Sequence, residues 1–202
     1  MNRSPTVDTL GVILVVFLLQ LLLSVVSLGG LFVLAPPLSA SPVTILTSIY
    51  AHASVGHLVA NAVVLLVAGL AVEHRTTWLR FHLFFLAVGA LAGIAQVVVS
   101  GLLGPASGVL GASGAVFGLV GYLLAGNTVT TTLRQRLRLS PRVQVVIYVV
   151  AAVAVTVLTG RPGVALVAHF TGLFVGLVAG AAGVLDVRSG ETEATSTRHG
   201  RI

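Results

Sequence analysis

The chain has 202 residues, of which 56% are hydrophobic and 8% charged. Soluble domains carry roughly 25% charged residues, so this composition indicates a membrane protein. Cysteine is absent, which excludes disulfides, a thiolate nucleophile and cysteine-based metal sites. The net charge of +6 comes from arginine alone, and this balance is typical of cytoplasmic loops that contact anionic lipids. Nucleic-acid binding is not indicated, because the sequence has no basic patch with interleaved aromatic residues. We therefore expect membrane lipids as partners, and no nucleic acid, cofactor or metal.

Apolar segments predict the membrane-spanning helices. The first, Leu10–Leu34, is uncharged and longer than the ~20 helical residues that cross ~30 Å of hydrocarbon. It is also longer than the apolar core of a signal peptide, so we expect it in the mature protein. Five further apolar runs follow, at His57–Val72, Arg80–Val99, Ser113–Gly126, Val143–Thr159 and Ala165–Leu185. The prediction is an all-α membrane protein with one six-helix bundle over residues 1–185. A short polar tail, residues 186–202, is expected to be cytoplasmic and disordered.

Arginine placement predicts the orientation, because short cytoplasmic loops collect positive charge. Only Arg161 falls on one side of the predicted spans, and all other arginines fall on the opposite side. These others are Arg3, Arg75, Arg80, Arg134, Arg136, Arg138, Arg142, Arg188, Arg198 and Arg201. Both termini should therefore be cytoplasmic, and the connections around residues 35–56, 100–112 and 160–164 should face the exterior of the cell membrane. The second, fourth and sixth spans then begin at the external face.

Four polar residues lie near the starts of these three spans. His57 and Asn61 begin the second span, Ser113 begins the fourth, and His169 lies near the start of the sixth. Polar groups within spans are costly in hydrocarbon and indicate either a functional site or a hydrogen bond between helices. Because the orientation puts all four at the external end, a shared site is favoured. His57 and Asn61 are one helical turn apart, so both can donate to one small target.

Ser113 lies between Ala112 and Gly114 at a predicted helix start. A serine there is most simply a helix N-cap, but the free N–H groups and positive dipole end of a helix start also favour an anion. Stripes of small residues on the fourth and sixth spans predict close packing of the two helices. These stripes are Gly114, Gly118, Gly121 and Ala125, and Gly172, Gly176, Gly180 and Gly183. Such packing would bring Ser113 and His169 together at the external end.

No acidic residue is placed to orient a histidine at the external face. Asp8, Asp186, Glu191 and Glu193 are terminal, and Glu73 lies at the cytoplasmic end of the second span. A serine hydrolase built from these residues would therefore use a Ser-His dyad, without the carboxylate of the common triad.

Four motifs occur in order on the second, fourth and sixth spans. They are His52-Ala-Ser-Val-Gly-His57-Leu-Val-Ala-Asn61, then Glu73, then Gly111-Ala-Ser-Gly114, and finally Ala168-His169-Phe-Thr-Gly172-Leu-Phe-Val-Gly176. In this order the set resembles the rhomboid family of intramembrane serine proteases, from about residue 40 to residue 183. The first external loop, Ala35–Gly56, departs from the family pattern because it lacks the Trp-Arg pair that many members carry.

The resemblance implies a serine endopeptidase that hydrolyses peptide bonds in or near transmembrane segments of protein substrates. Ser113 would be the nucleophile and His169 the general base. His57 and Asn61 would form the oxyanion hole with the backbone N–H of Ser113. The resemblance also implies structural roles for His52 and Glu73. Phe117 matches an aromatic position that would pack near His169.

Two other functions are compatible with these residues. A catalytically inactive relative that binds membrane proteins would normally lack Ser113 or His169, and both are present, although a motif alone does not establish activity. A small-solute transporter would place polar residues along the whole depth of its path, whereas here they cluster at one end.

Overall fold

The computed structural model describes residues 3–104, 108–161 and 163–187, and within them the fold is all-helical, as predicted. In chain order the α-helices are α1 (Pro5–Val25), α2 (Thr44–Tyr50), α3 (Val55–Glu73), α4 (Trp78–Leu103), α5 (Ser113–Gly126), α6 (Thr128–Arg136), α7 (Pro141–Leu158) and α8 (Leu166–Ala182). A short 3-10 helix, Gly29–Phe32, lies between α1 and α2. The two short helices, α2 and α6, were not predicted as separate elements.

Four helices of the described chain, α1, α3, α4 and α7, are long and apolar enough to cross a membrane. The pair α5 and α6 would make a fifth span only if the two helices, which are bent by 50°, counted as one. The remaining apolar helix, α8, is shorter, with 17 residues. Between 17% and 28% of the residues in the most apolar part of each long helix are buried, so most of their apolar surface faces outward, where lipid would cover it. The protein is therefore a multi-pass membrane protein, and the count of six spans stays a prediction.

The first span lies nearer the N-terminus than predicted. Leu10–Leu34 overlaps α1 but starts and ends later than the helix. Ser4 caps α1 by accepting the Val7 N–H at 3.3 Å, and Pro5 occupies a first-turn position where its missing N–H costs nothing. At the other end Ser27 adopts a left-handed conformation with φ of 63°, which ends helical geometry. The uncharged run continues past this break, so absence of charge alone overestimated where the helix ends.

Helix α5 lies at the centre of the bundle. Its most extensive contact is with α8, and it also packs against α3 and α4. Helix α1 packs mainly on α3, and α7 packs on α8 at the outside. The largest fully buried side chains include Tyr122, Phe81, Phe85, Leu65 and Leu119. The α5–α8 pair therefore determines where the starts of these two helices lie relative to each other.

Glycines bring the backbones of α5 and α8 into direct contact. A Cβ atom at Gly172 would overlap the carbonyl oxygen of Gly114, and one at Gly176 would overlap that of Gly118. The stripes of small residues in the sequence thus face each other, and the predicted close packing of the two helices is confirmed.

The connections before α3 and α5 meet at one end of the bundle. Leu34 and Val109 exchange both backbone hydrogen bonds, at 2.9 and 2.8 Å, and the Gly111 N–H donates to the Ser48 carbonyl at 2.8 Å. These bonds hold the segment directly before Ser113 against the long α1–α3 connection.

The opposite end holds the described carboxylates. Glu73 Oε2 accepts hydrogen bonds from Ser4 Oγ at 2.7 Å and from the Thr6 N–H at 3.2 Å, which join the end of α3 to the start of α1. Asp8 accepts the indole N–H of Trp78 at 2.8 Å. The structural role that the resemblance implies for Glu73 agrees with these contacts.

The start of the predicted tail is bonded to the bundle. Tyr122 donates its hydroxyl hydrogen to Asp186 Oδ1 at 2.9 Å, and the Val187 N–H donates to the Arg75 carbonyl at 3.0 Å. The rest of the predicted tail, residues 188–202, lies outside the described residues.

Candidate active site

A cavity of about 700 Å³ lies between α3, α4, α5 and α8, at the end where the connections meet. The four predicted site residues, His57, Asn61, Ser113 and His169, all line this cavity. Among the described residues, Gln96 of α4 is the one other polar side chain that lines it, and the rest of this lining is apolar or glycine. Three helices thus bring a hydroxyl, two imidazoles and an amide to one apolar chamber.

Ser113 is the first residue of α5 and does not cap it. The N-cap position is Ala112, whose side chain makes no capping hydrogen bond. The first N–H groups of a helix have no acceptor within the helix, and the helix dipole is positive there. An anion beside Ser113 would therefore meet free donors, and the simpler interpretation of this serine as an N-cap is wrong.

The helix turns that carry Ser113 and His169 pack against each other. A Cβ atom on Gly114, which follows Ser113, would lie 3.6 Å from the carbonyl oxygen of Ala168, which precedes His169. Among the described residues no hydrogen bond joins the Ser113 hydroxyl to His169, and Nδ1 of that ring has no partner. Catalytic hydrogen bonds are often long in an empty site and shorten with substrate. The structure places the pair in one cavity on two touching helices.

An aromatic ring, and no described carboxylate, packs against His169. The ring of Phe117, one turn after Ser113, has its centroid 4.4 Å from that of the imidazole, and His169 is 9% exposed. The described acids, Asp8, Glu73 and Asp186, make their hydrogen bonds at the opposite end of the bundle. Glu191 and Glu193 lie outside the described residues.

His57 and Asn61 form the α3 side of the cavity. Ser54 caps α3 by accepting the His57 N–H at 3.1 Å. The His57 ring lies against Gly111, where a Cβ atom would be 2.7 Å from Cε1 and where φ of 131° itself favours glycine. Asn61 is 6% exposed and donates one N–H to the His57 carbonyl at 2.9 Å. An amide has two such hydrogens, so one remains for a ligand.

His52 supports this side of the site without lining the cavity. Its ring centroid is 5.1 Å from that of His57, and its backbone N–H donates to Gln20 Oε1 at 3.0 Å. Its Nδ1 lies 3.1 Å from the Tyr50 carbonyl, which can only accept, so Nδ1 carries the proton. Burial, together with the nearby His57, lowers the pKa of His52 to about 4. The ring is therefore neutral near pH 7, which agrees with a structural role.

Gln96 is a cavity residue absent from the prediction. Its Oε1 accepts the backbone N–H groups of Val167 and Ala168 at 3.0 and 3.2 Å. A signal was present, because Gln96 is the single polar side chain within the apolar stretch 83–99. A polar group in that setting requires a partner.

Comparison with known proteins identifies the family of the chain. Residues 39–185 match the family model described as Rhomboid domain. Over 130 residues the chain is 32% identical to RHOMBOID-like protein 4 of Arabidopsis thaliana, a stretch that covers 64% of this chain and 31% of that relative. The chain therefore corresponds to less than a third of the relative's length. Because the family match covers well over half of the chain and includes all four predicted site residues, the chain belongs to the rhomboid family.

Proposed function

We propose that the protein is an intramembrane serine endopeptidase of the rhomboid type. It would hydrolyse peptide bonds in or near the transmembrane segments of protein substrates, with a Ser-His dyad and an oxyanion hole. The observation that carries the proposal is that Ser113, His169, His57 and Asn61 reach one cavity from three helices. A binding protein without catalysis would have no need of this combination.

The reaction assigns one role to each member of the dyad. His169 takes the proton of Ser113 Oγ, and the oxygen attacks the substrate carbonyl to form a tetrahedral oxyanion. Collapse of this intermediate transfers the proton to the leaving amine and leaves an acyl-enzyme on Ser113. Water then attacks the acyl group with His169 again as the base.

Three donors are available to the oxyanion. They are the His57 ring, the second amide hydrogen of Asn61 and the backbone N–H of Ser113 at the start of α5. In an apolar chamber such donors stabilise developing charge more strongly than water does, because they are already oriented and little competes with them.

Replacing Asn61 by alanine should lower turnover on the order of 10²–10³-fold, since loss of one oxyanion donor typically costs about 2.7–4 kcal/mol of transition-state stabilisation. The measurement is kcat for a labelled transmembrane substrate in detergent or liposomes. Asn127→Ala is a matched control, because Asn127 caps α6 away from the cavity. Near-normal turnover of Asn61→Ala would remove Asn61 from the oxyanion hole.

A substrate helix must open before it can be cut, because every peptide group of a transmembrane helix is paired within it. We expect cleavage near the external end of substrate spans that contain small or helix-breaking residues.

The route of entry that we propose lies at α7 and the connection after it. Helix α7 packs mainly on α8 and is the least buried of the four long helices, at 17%. Gly163 to Ala165, on the described part of that connection, line the cavity.

We further propose six membrane crossings, with both termini cytoplasmic and the cavity opening at the external face of the cell membrane. The distribution of arginines supports this orientation. The bundle supports it too, since α3, α5 and α8 all begin at the cavity end, as alternate crossings require.

Helix α6 suggests where membrane lipids bind. Val129, Leu133 and Leu137 follow one another at intervals of four residues and are 78%, 54% and 58% exposed, so they form an uncovered apolar face. Four arginines lie on this helix or shortly after it in the chain. Arg134 donates to the Tyr148 hydroxyl and the Ala181 carbonyl, whereas Arg136, Arg138 and Arg142 are exposed. An amphipathic helix with basic residues beside its apolar face lies in the membrane interface and attracts anionic headgroups.

Neutralising these three exposed arginines should weaken binding of an anionic lipid. Each arginine near the surface is worth about 1 kcal/mol, or about fivefold in affinity. The triple variant Arg136→Gln, Arg138→Gln, Arg142→Gln would be titrated in detergent with short-chain phosphatidylglycerol, and bound lipid counted by native mass spectrometry. Arg161→Gln should bind like the wild type, and short-chain phosphatidylcholine should not distinguish the variants. Equal phosphatidylglycerol binding by the triple variant and the wild type would contradict the assignment.

The proposed protease activity is tested by incubating the purified protein in liposomes with a labelled transmembrane substrate. We expect two products whose masses place the cut near one end of the substrate span. A protein that cross-links to the substrate without cutting it would be an inactive binder, and solute flux without cleavage would indicate a transporter.

A further inference from the structure

Helix α8, which carries His169, begins without a capping side chain of its own. Its N-cap residue is Ala165, which makes no side-chain hydrogen bond. The amide groups that a capping side chain normally satisfies are those of the second and third helical residues, here Val167 and Ala168. Gln96 Oε1 accepts these same two N–H groups, at 3.0 and 3.2 Å. A glutamine on α4 therefore provides the cap that the sequence of α8 lacks.

The location of this cap couples it to the imidazole. Ala168 directly precedes His169, and the His169 N–H donates to the Ala165 carbonyl at 3.1 Å, so the ring belongs to the capped turn. Because unpaired amides are costly away from water, losing the acceptor would favour fraying or a shift of this turn. Gln96 lines the cavity beside the turn, where no other described side chain accepts from these two amides.

We propose that Gln96 is a positioning residue, which holds the first turn of α8 so that His169 faces Ser113. This inference rests on the proposed function, because it concerns the geometry of the dyad. Gln96 acts through α8 and needs no contact with the substrate.

The test uses three changes around the cap in the full-length protein. Gln96→Met keeps the length and flexibility of the side chain but removes the acceptor. Gln96→Glu keeps an acceptor. In the double variant Gln96→Met, Ala165→Asn, the favoured capping residue is supplied on α8 itself. Gln144→Met is the matched control, because the Gln144 side chain donates to the Leu139 carbonyl away from the cavity.

Two measurements separate positioning from general stability. For Gln96→Met we expect kcat to fall about tenfold while KM changes less than about twofold, since small misplacements of a catalytic group act on the chemical step. Hydrogen exchange of the Val167 and Ala168 amides should become about tenfold faster, as for a lost cap. Gln96→Glu should restore both quantities towards the wild type, the double variant should restore the slow exchange, and Gln144→Met should change neither.

Each outcome decides the inference. An unchanged kcat or unchanged exchange in Gln96→Met overturns it, and so does a Gln96→Glu variant in which exchange is as slow as in the wild type while kcat stays low. If the wild type cleaves no substrate, the proposed function fails and with it the positioning of a catalytic base, while the exchange data still decide whether Gln96 caps α8.

Discussion

Replacing Ser113 by alanine is expected to abolish peptide-bond cleavage, because no other described hydroxyl lines the cavity. Loss of a nucleophile or its base typically lowers kcat on the order of 10⁴–10⁶-fold. His169→Ala should be equally inactive, and the double variant no worse than either single one, since the two side chains act as a unit. The measurement is single-turnover cleavage of a labelled transmembrane substrate in liposomes.

Matched controls distinguish this result from a general loss of folding. Ser100→Ala removes a hydroxyl that donates only to the Val97 carbonyl of its own helix, and His74→Ala removes an exposed imidazole after α3. Both should cleave like the wild type. Cleavage that survives in Ser113→Ala and in His169→Ala would exclude the dyad.

The grouping of the four candidate residues could be predicted because their chemistry and the orientation predicted from arginine placement point to the same end of the bundle. His57, Asn61, Ser113 and His169 each lie close to the start of an apolar run, and arginine placement alone puts those starts on one side. The structure lines one cavity with all four. The apolar run predicted over Ser113–Gly126 coincides with helix α5, and the structure shows that Asn127, the next residue, caps α6.

Other features depend on contacts that cannot be predicted from a local sequence pattern. The arginine-rich stretch after α5 is typical of a connection between spans. In the structure it contains helix α6, which Asn127 caps by accepting the Thr130 N–H at 2.8 Å. Likewise, Gln96 acts on a helix that is 71 residues away in sequence, so its role depends on how α4 and α8 pack. The presence of a polar side chain in a span can be read from sequence, whereas the identity of its partner cannot.

The two glycine stripes set the separation of α5 from α8, and that separation also sets the distance between the side chains of the proposed dyad. Gly114 follows Ser113, and Gly172 lies one turn after His169, so the contact between these glycines is next to the dyad. A wider separation of α5 from α8 would move the hydroxyl and the imidazole apart by a similar amount.

Gly172→Leu is therefore expected to destroy the bundle, and Gly172→Ala to leave it folded but poorly active. Even the Cβ atom of alanine would overlap the Gly114 carbonyl oxygen, and a backbone atom cannot rotate away as a side chain can. Overpacking usually costs about 1–3 kcal/mol, and a leucine in this contact should exceed that range, which is a large part of a typical stability of about 5–15 kcal/mol. For alanine, a helix shift near ~1 Å should lower turnover about 10²-fold.

Thermal unfolding in detergent and single-turnover cleavage measure the two effects. Gly11→Leu and Gly11→Ala are the matched controls, because a Cβ atom at Gly11 on α1 would have no neighbour within 4 Å. Both controls should keep the wild-type Tm and turnover. A Gly172→Leu protein with wild-type Tm would show that α5 and α8 do not need backbone contact. If Gly172→Ala lost activity without any change in Tm, the helix separation would matter for the dyad more than for the fold. The physical reason is that α5 and α8 can part slightly at their first turns while the contacts at Gly118 and Gly176 still hold the pair.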